Sequence, residues 1–308
     1  MKIIVSGSLA YDRIMDFPGY FADHILPEKI HMLNVSFAVN GLKEKFGGTA
    51  GNIAYALSLM GESPEISATI GHDYHRYLAW MTKNGISTKS IKIIEEELTA
   101  GAYITTDRSD NQITGFNPGA MKYSAGLDFN RLDPKETLII VSAGNLEDMI
   151  DYPQACKTKG IDYIFDPGQQ IPRLNGADLL QAIEGCWILI SNDYELDLII
   201  NKTGVSKGDL LTKARVIIVT LGDMGSRILT RGKEMAIPAA KARVVEDPTG
   251  AGDSYRGGLI SGLVRGMNIE RSARIGSVCA SFAVECYGTQ DYRFSPEEFD
   301  ERFKSCYE

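Results

Sequence analysis

The sequence predicts an α/β fold in which helices cover both faces of a mostly parallel central sheet. Short runs rich in Ile and Val recur along the chain, and each ends in a small or polar residue, as buried parallel strands do. Segments with helical periodicity separate these runs, and the alternation is typical of a three-layer α/β/α domain. The predicted strands cover residues 2–6, 137–142, 163–166, 187–191 and 216–221.

Helices are predicted between these strands, for example over residues 50–60 and 194–201. Ligands of parallel sheets bind beyond the carboxyl ends of the strands, so the residues that follow the strands are candidate site residues. They are Asp12, Asp166, Asn192, Glu195 and Gly222.

Two segments interrupt the alternation and predict a second, smaller sheet. Residues 13–46 are irregular and rich in Phe and Pro, whereas residues 101–116 have the pattern of a hairpin with a polar turn. We expect about 13–46 and 101–119 to form a β-sheet lid, inserted into a single domain of residues 1–308, that shields a reaction from water. The alternative is a pair of insertions without a role in the site.

Charge and composition favour a small-molecule partner. The 308 residues carry a formal net charge of -8, which argues against a general binder of nucleic acid or membrane surfaces. No apolar run reaches the ~18 residues that span a bilayer. The five cysteines include no Cys-x-x-Cys pair, which argues against a disulfide framework or a zinc site. We therefore expect a cytoplasmic protein.

Residues 247–253 (Asp-Pro-Thr-Gly-Ala-Gly-Asp) form the most informative segment. An apolar stripe over residues 259–264 predicts a helix after it, so the glycines lie at a helix amino terminus. Unpaired N–H groups and the helix dipole make such a terminus an anion site. A carboxylate there, Asp253, suits a base for a hydroxyl that attacks a phosphate. The segment predicts phosphoryl transfer to an alcohol; the alternative is an ordinary capped helix start.

A second glycine cluster covers residues 47–52 (Gly-Gly-Thr-Ala-Gly-Asn), just before a predicted helix. It allows close approach of the backbone, and Asn52 offers both a donor and an acceptor. Asp12 follows the first predicted strand directly, where its carboxylate can accept hydrogen bonds from two neighbouring sugar hydroxyls. Tight turn packing and a loop cap are the structural alternatives for these features.

Two further strand ends carry candidate nucleotide contacts. Asn192 and Glu195 have the spacing of a capping box, and Glu195 could also order water around Mg²⁺ beside the phosphates. Residues 219–226 predict a strand and a glycine-bounded turn of the kind that borders a nucleotide. Other chemistries fit less well, because the chain has no Walker-type loop, no Gly-x-Gly-x-x-Gly after the first strand and no Gly-x-Ser-x-Gly elbow.

These elements together resemble the ribokinase-like, or PfkB-type, family of carbohydrate and nucleoside kinases over essentially the whole chain. The family's carboxyl-terminal signature is similar to residues 247–258, its amino-terminal signature to 47–52 and its Asn-x-x-Glu element to 192–195. The three elements also occur in the family's order. The resemblance implies a ribokinase-like fold and the use of ATP and Mg²⁺.

The resemblance implies roles at the reacting end of the site. Asp253 would be the general base that takes the proton of the acceptor hydroxyl. Asp12 would hold hydroxyls of the acceptor, with Gly48 and Asn52 close by. The anion hole for the transferring phosphoryl group would consist of Gly250, Ala251 and Gly252.

The resemblance also implies roles around the nucleotide. Asn192 would contact phosphate, and Glu195 would act on Mg²⁺ through water. Asp247 and Thr249 lie where some family members bind a monovalent cation such as K⁺. The residues that would border ATP are Thr220, Gly222 and Gly225.

The acceptor is harder to predict. The segment 111–121 and the Phe-rich insertion resemble a bacterial and archaeal branch of adenosine or nucleoside kinases. A purine stacks on aromatic or apolar faces, which Phe37, Phe116 and Met32 can provide, unless these residues form a small core of the lid itself.

We therefore expect an ATP-dependent kinase for the primary hydroxyl of a nucleoside, with adenosine first. Many sugar kinases of the family carry Lys where this chain has Thr49, and Pro248 is not the commonest residue at its position; both departures weaken a ribokinase assignment. A sugar kinase for ribose, fructose or a related sugar is the alternative, and a catalytically silent nucleotide-binding sensor is a third hypothesis. The open edges of a lid sheet also predict a homodimer in which two lids pair.

Overall fold

The computed structural model describes residues 1–308 as thirteen strands and nine α-helices. The strands are β1 (Lys2–Ser6), β2 (Ala10–Asp16), β3 (Leu42–Gly47), β4 (Glu65–Gly71), β5 (Ser87–Ile94), β6 (Ala100–Thr106), β7 (Gln112–Asn117), β8 (Thr137–Ser142), β9 (Asp162–Asp166), β10 (Ile188–Asn192), β11 (Val216–Thr220), β12 (Ser226–Thr230) and β13 (Lys233–Ile237). The helices are α1 (Thr49–Leu59), α2 (His75–Lys83), α3 (Leu146–Lys159), α4 (Gly176–Ile183), α5 (Asp193–Thr203), α6 (Lys207–Lys213), α7 (Ala251–Val264), α8 (Ile269–Ala283) and α9 (Pro296–Tyr307).

The central sheet has nine strands in the order β13-β12-β11-β10-β9-β8-β1-β4-β5. The seven strands from β11 to β5 are parallel, and β12 and β13 are antiparallel at one edge. Alternate side chains of one strand enter different cores: Ile3 and Val5 pack with α1, α7 and α8, whereas Ile4 packs with α3 and α4. Helices therefore cover both faces, and the predicted three-layer α/β/α fold is confirmed.

The predicted strands agree closely with the observed ones. β1 and β8 have the predicted bounds, β9 and β11 differ by one residue at one end, and β10 is shifted by one residue at both ends. The sequence analysis predicted no strand at β4, β5, β12 or β13. In β5, for example, polar and apolar residues mix because much of this edge strand is exposed.

A separate small sheet has the order β3-β2-β6-β7, and the predicted hairpin forms its β6 and β7. The ends of the segment predicted to be irregular are in fact the strands β2 and β3. Asp12 was expected in the loop after β1, and this was wrong: it lies within β2, opposite Lys45 and Ala102. The chain leaves β1 and enters the small sheet after only three residues, Gly7, Ser8 and Leu9.

Arg13 anchors the small sheet to the central domain. Its Nη2 contacts Oδ2 of Asp73, in the segment after β4, at 3.2 Å. Its other donors bind Glu44 on β3 and Tyr103 on β6 at 3.0 Å each. One largely buried side chain thus joins three strands of the small sheet to the central domain. None of the nine helices is both long enough and apolar enough to cross a membrane.

Candidate active site

Helix α7 begins with unpaired backbone donors. Gly250 precedes it with a φ of 79°, a left-handed conformation that glycine adopts without strain. The N–H of Ala251 donates to Pro248 O at 3.2 Å, whereas the N–H groups of Gly252 and Asp253 have no acceptor in the protein. The amino terminus of α7 therefore has free donors at residues 252 and 253 that can bind an anion, whereas the N–H of Ala251, a predicted donor, is already bonded.

The Asp253 carboxylate is half-buried beside these donors. Its Oδ2 accepts a 2.8 Å hydrogen bond from Nδ2 of Asn52. Burial raises the pKa of Asp253 to about 6, against the lowering effects of the Arg256 charge and the Asn52 hydrogen bond. A carboxylate with a pKa near neutral pH can both accept and release a proton, which is the property that a general base needs.

A hydrogen-bond chain fixes the Asn52 side chain. Its Oδ1 accepts from Nε2 of Gln290 at 3.0 Å, and the same amide donates to Tyr77 Oη at 2.7 Å. Tyr77 in turn donates to Gly47 O at 2.6 Å, and Trp80 Nε1 donates to Gln290 Oε1 at 3.1 Å. The sequence did not single out Gln290 or Tyr77, because nothing local marks residues so far apart as neighbours.

A cavity of about 220 Å³ lies between the small sheet and the central sheet. The predicted residues Asp12, Gly48 and Phe116 line it. Glycine at residue 48 lets the backbone of this residue lie against the backbone of Ser8, because a Cβ on Gly48 would lie 2.6 Å from Ser8 O. Asp253 does not line the cavity itself, but Gly48 leads directly into α1, whose Asn52 contacts Asp253.

The Asp12 carboxylate at this cavity has no hydrogen-bond donor in the protein. Burial, and then the Asp247 charge, raise its pKa. Its Oδ2 would lie 2.6 Å from a Cβ on Gly47, so the glycine at residue 47 leaves room for this side chain. A half-buried acceptor without a protein donor is suited to hydroxyl groups of a ligand.

The three apolar residues predicted to stack on a base have different surroundings. Phe116 lines the cavity and is 53% exposed. Phe37 instead packs against Phe17, Phe21 and His24, with ring centroids 4.8 to 5.8 Å apart, so the alternative of a small core within the insertion holds for it. Met32 is exposed and does not line the cavity.

Six lining residues were missed by the sequence argument. Gln169 and Gln170 follow β9, and the strand-end rule that selected Asp166 could have found them. Gln170 is buried, and its Nε2 donates to Gly144 O at 3.0 Å. The six are Ser8, Ala10, Met121, Ala143, Gln169 and Gln170.

The predicted capping box is present at the start of α5. Oδ1 of Asn192 accepts from the Glu195 N–H at 2.7 Å, and Glu195 Oε2 accepts from the Asn192 N–H at 2.9 Å. Burial raises the pKa of Glu195, and its second oxygen has no protein donor. Thr220 pairs with Asn192 in register, and the turn between Gly222 and Gly225 follows at the same sheet edge.

Asp247 fastens the loop before α7. Its two carboxylate oxygens accept from the Thr249 N–H at 2.9 Å and the Gly288 N–H at 3.2 Å. No cluster of three or more His, Cys, Asp or Glu side chains is arranged to hold a metal ion by itself. A metal at this site would therefore need ligands from a bound phosphate or from water.

The family model of the pfkB family carbohydrate kinases matches residues 11–295, which include every site residue that the sequence predicted. The chain belongs to the pfkB family. A nucleoside kinase of Methanocaldococcus jannaschii is 34% identical to this pfkB member over 295 residues, covering 94% of this chain and 92% of the relative.

Solved structures of pfkB-type kinases share the fold. A nucleoside kinase of Burkholderia thailandensis in complex with inosine superimposes with a TM-score of 0.88 at 35% identity, over 99% of this chain and 98% of that chain. The same enzyme in complex with ADP-inosine has a TM-score of 0.85 at 37% identity, over 99% and 96% of the two chains.

Proposed function

We propose that this protein is an ATP-dependent nucleoside kinase that transfers the γ-phosphate of ATP to the primary hydroxyl of a nucleoside. Adenosine, giving AMP, is the first acceptor that we expect. One observation carries the proposal: the Asp253 carboxylate lies beside free N–H groups at the start of α7 and is held by Asn52. Similarity to two nucleoside kinases, one solved with inosine, supports a nucleoside as the acceptor.

In this reaction Asp253 removes the proton of the primary hydroxyl. The hydroxyl oxygen forms a bond to the γ-phosphorus while the bond between the γ-phosphorus and the β,γ-bridging oxygen breaks, and ADP leaves. The N–H groups of Gly252 and Asp253 stabilise the negative charge on the phosphoryl oxygens in the transition state. Gly250 would contribute through its left-handed conformation, which lets the chain turn into α7 with these N–H groups unpaired.

The acceptor would occupy the cavity beneath the small sheet. Asp12 would accept hydrogen bonds from two ribose hydroxyls, and Gly48, which lines the same cavity, would lie beside the sugar. Phe116 would stack on the base, which converts its exposed ring into a contact surface. We propose that the small sheet acts as a lid that excludes water from the phosphoryl group.

The nucleotide would lie along the ends of β10 and β11. Asn192, Thr220, Gly222 and Gly225 border this region, and Glu195 has one carboxylate oxygen that no protein group uses. That oxygen fits a water ligand of Mg²⁺, which would neutralise the phosphate charge. A K⁺ ion near Asp247 and Thr249 is a further proposal, supported by the turn that the Asp247 carboxylate holds.

An acceptor panel tests the function. Adenosine, inosine, guanosine, cytidine, ribose and fructose are compared at fixed ATP and Mg²⁺, and ADP formation is measured. We expect the highest kcat/KM with a nucleoside. A higher kcat/KM for ribose or fructose would replace the nucleoside assignment by a sugar kinase, and binding of ATP and nucleoside without ADP formation would favour a sensor.

The small sheet leaves β3 and β7 as free edges and exposes Leu42 and Ile113, so we propose a homodimer that pairs two lids. We also place the reaction in the cytoplasm, where ATP and Mg²⁺ are supplied and the buried Cys156, Cys186 and Cys279 stay reduced.

A further inference from the structure

A buried arginine lies one helical turn after the anion site. Arg256 on α7 forms a two-pronged ion pair with Asp166 at the carboxyl end of β9: Nε contacts Oδ2 at 2.5 Å and Nη2 contacts Oδ1 at 2.6 Å. The side chains of Arg256 and Asp166 are 8% and 4% exposed, and no other ion pair of the protein has both partners below 10%.

The third donor of the guanidinium reaches the anion site itself. Nη1 of Arg256 donates a 2.9 Å hydrogen bond to Gly252 O, so one side chain joins the end of β9 to the first turn of α7. Contact is close, because a Cβ on Gly252 would lie 2.9 Å from this nitrogen. Rotation of this turn would require a break in the ion pair or in the hydrogen bond.

Stability alone is a weak reason for such a pair. Removing two charges from water carries a large desolvation cost, and packed apolar residues often replace buried ion pairs without loss of stability. The rigid fork of an arginine does supply what an apolar pair cannot, namely fixed directions toward three acceptors. The position of Arg256 beside Gly252 and Asp253 therefore indicates a role in the reaction rather than in stability alone.

We propose that Arg256 and Asp166 are positioning residues for phosphoryl transfer, which hold the first turn of α7 so that its free N–H groups and Asp253 stay aligned with the phosphate and the acceptor. The inference rests on the proposed role of Asp253 as base. Neither residue touches the reacting atoms in this assignment, and both act through the α7 turn.

Arg256 and Asp166 have opposite effects on the pKa of Asp253. The Arg256 charge lowers the pKa of Asp253, whereas the Asp166 and Glu195 charges raise it. The other polar groups that face Asp253 are Asn52 on α1, Tyr77 on α2 and Tyr292 before α9. Loss of Arg256 and loss of the Asp166 charge should therefore move the titration of Asp253 in opposite directions, although both variants loosen the same turn.

The experiment compares Arg256→Met, Asp166→Asn and the parent protein by kcat/KM against pH, with the best acceptor from the panel. We expect Arg256→Met to move the acid limb about one unit to higher pH and Asp166→Asn to move it to lower pH. Both should reduce kcat roughly 10- to 100-fold with a smaller change in KM, as expected for misaligned groups. Identical limbs in all three proteins, or shifts in the same direction, would overturn the proposal.

Arg256→Lys covers the case in which the first variant fails to fold. It keeps the positive charge but cannot serve both Asp166 oxygens and Gly252 O with fixed geometry, so kcat should fall while the acid limb stays in place. Unchanged kcat in this variant would also overturn the proposal. Glu65→Gln is the control, since Glu65 is a buried carboxylate bound by Lys2, Arg131 and Ser90 at the opposite end of the sheet. It should lose stability without a shift of the pH profile.

A measurement without turnover separates this inference from the proposed function. The Asp253 carboxyl is titrated by NMR in the same variants, with the signal assigned by its loss in Asp253→Asn. Suppose that the parent protein phosphorylates no acceptor, but the pKa of Asp253 shifts in opposite directions in the Arg256 and Asp166 variants. That result would refute the kinase assignment but not the coupling of the ion pair to Asp253. Equal titrations in an active enzyme would refute the coupling alone.

Discussion

The Asn52 side-chain amide donates a 2.8 Å hydrogen bond to Asp253 Oδ2 and thereby joins α1 to α7. The two residues lie 201 positions apart, one in each glycine-rich motif. Gln290 fixes the orientation of the Asn52 amide, so its NH₂ group points at the carboxylate. The bond stabilises the charged form of Asp253 at a site where burial favours the neutral form.

Asn52→Leu should narrow the pH range of activity. Loss of the hydrogen bond removes a cause that lowers the pKa of Asp253, so the value rises above about 6 and the base stays protonated to higher pH. We expect the acid limb of kcat/KM to move to higher pH by about 0.5 to 1 unit and kcat at pH 7 to fall. The measurement is a pH profile at saturating ATP.

Asn201→Leu provides a control for that prediction, because Asn201 is exposed in the last turn of α5. Its profile should match that of the parent protein. An Asn52→Leu profile that also matches would show that the hydrogen bond has no influence on the base.

Asp253→Asn should inactivate the enzyme and stabilise the fold. Loss of the base should lower kcat by about 10²- to 10⁴-fold while ATP and nucleoside still bind. The raised pKa means that the folded state loses stability as pH rises from the ordinary carboxyl value of 3.8 through about 6. An amide avoids this cost, so the variant should gain on the order of 1 to 3 kcal/mol above pH 7 and little at pH 4.

Thermal unfolding of both proteins at pH 4, 6 and 8 measures the stability difference, and ADP formation measures activity. A variant that keeps full activity would exclude Asp253 as the base. A stability gain that does not depend on pH would show that the gain has another origin.

The sequence predicted those parts of the site that local patterns determine. Gly250 and Asp253 were identifiable because a glycine run before an apolar helix is a local signal, and Asn192 followed from the spacing of a capping box. Asp12 was assigned a role but misplaced, because the strand that carries it has no clear alternation and pairs with β3 and β6 far along the chain. The contact between Arg256 and Asp166 spans 90 positions and depends on how α7 packs against β9, which no local pattern contains.

Phe116→Ala and Phe37→Ala should have different effects, although each removes one aromatic ring. Phe116 lies on β7 of the small sheet, and Phe37 lies in the segment between β2 and β3. Phe116 lines the cavity, so its loss should raise KM for adenosine about tenfold, within the ~1–3 kcal/mol typical of base stacking. It should leave KM for a free sugar such as ribose nearly unchanged. Phe37 packs in an aromatic cluster, so its loss should lower the melting temperature and affect kcat/KM with every acceptor alike.

Kinetics with adenosine and ribose, together with thermal unfolding, distinguish the two variants. A Phe116→Ala enzyme with an unchanged KM for adenosine would show that the base does not stack on this ring. An increase in KM limited to nucleosides in Phe37→Ala would return Phe37 to the binding site.

Ile113→Lys should weaken the proposed lid dimer. Ile113 is 45% exposed on β7, a free edge of the small sheet, and a lysine there opposes pairing of two such edges. Light scattering over a range of protein concentrations should show a dimer for the parent protein and a larger dissociation constant for the variant. Ile93→Lys on β5, the free edge of the central sheet, is the control and should leave the dimer intact. A monomeric parent protein at all concentrations would exclude the dimer.

Gly225→Ala should raise KM for ATP far more than Gly222→Ala, although both glycines lie in one turn. Both have positive φ, 60° at Gly222 and 90° at Gly225, so each substitution incurs backbone strain of about 1–3 kcal/mol. The two positions differ in the room for a side chain. A Cβ on Gly222 meets no atom within 4 Å, whereas one on Gly225 would lie 2.0 Å from Ile237 O. Gly225→Ala must therefore push β13 away from β12, and we expect a further loss of roughly 2 kcal/mol and a KM for ATP raised at least tenfold. Denaturant unfolding and ATP kinetics of the two variants provide the test. Equal effects on KM for ATP would show that the position of β13 does not influence the nucleotide site.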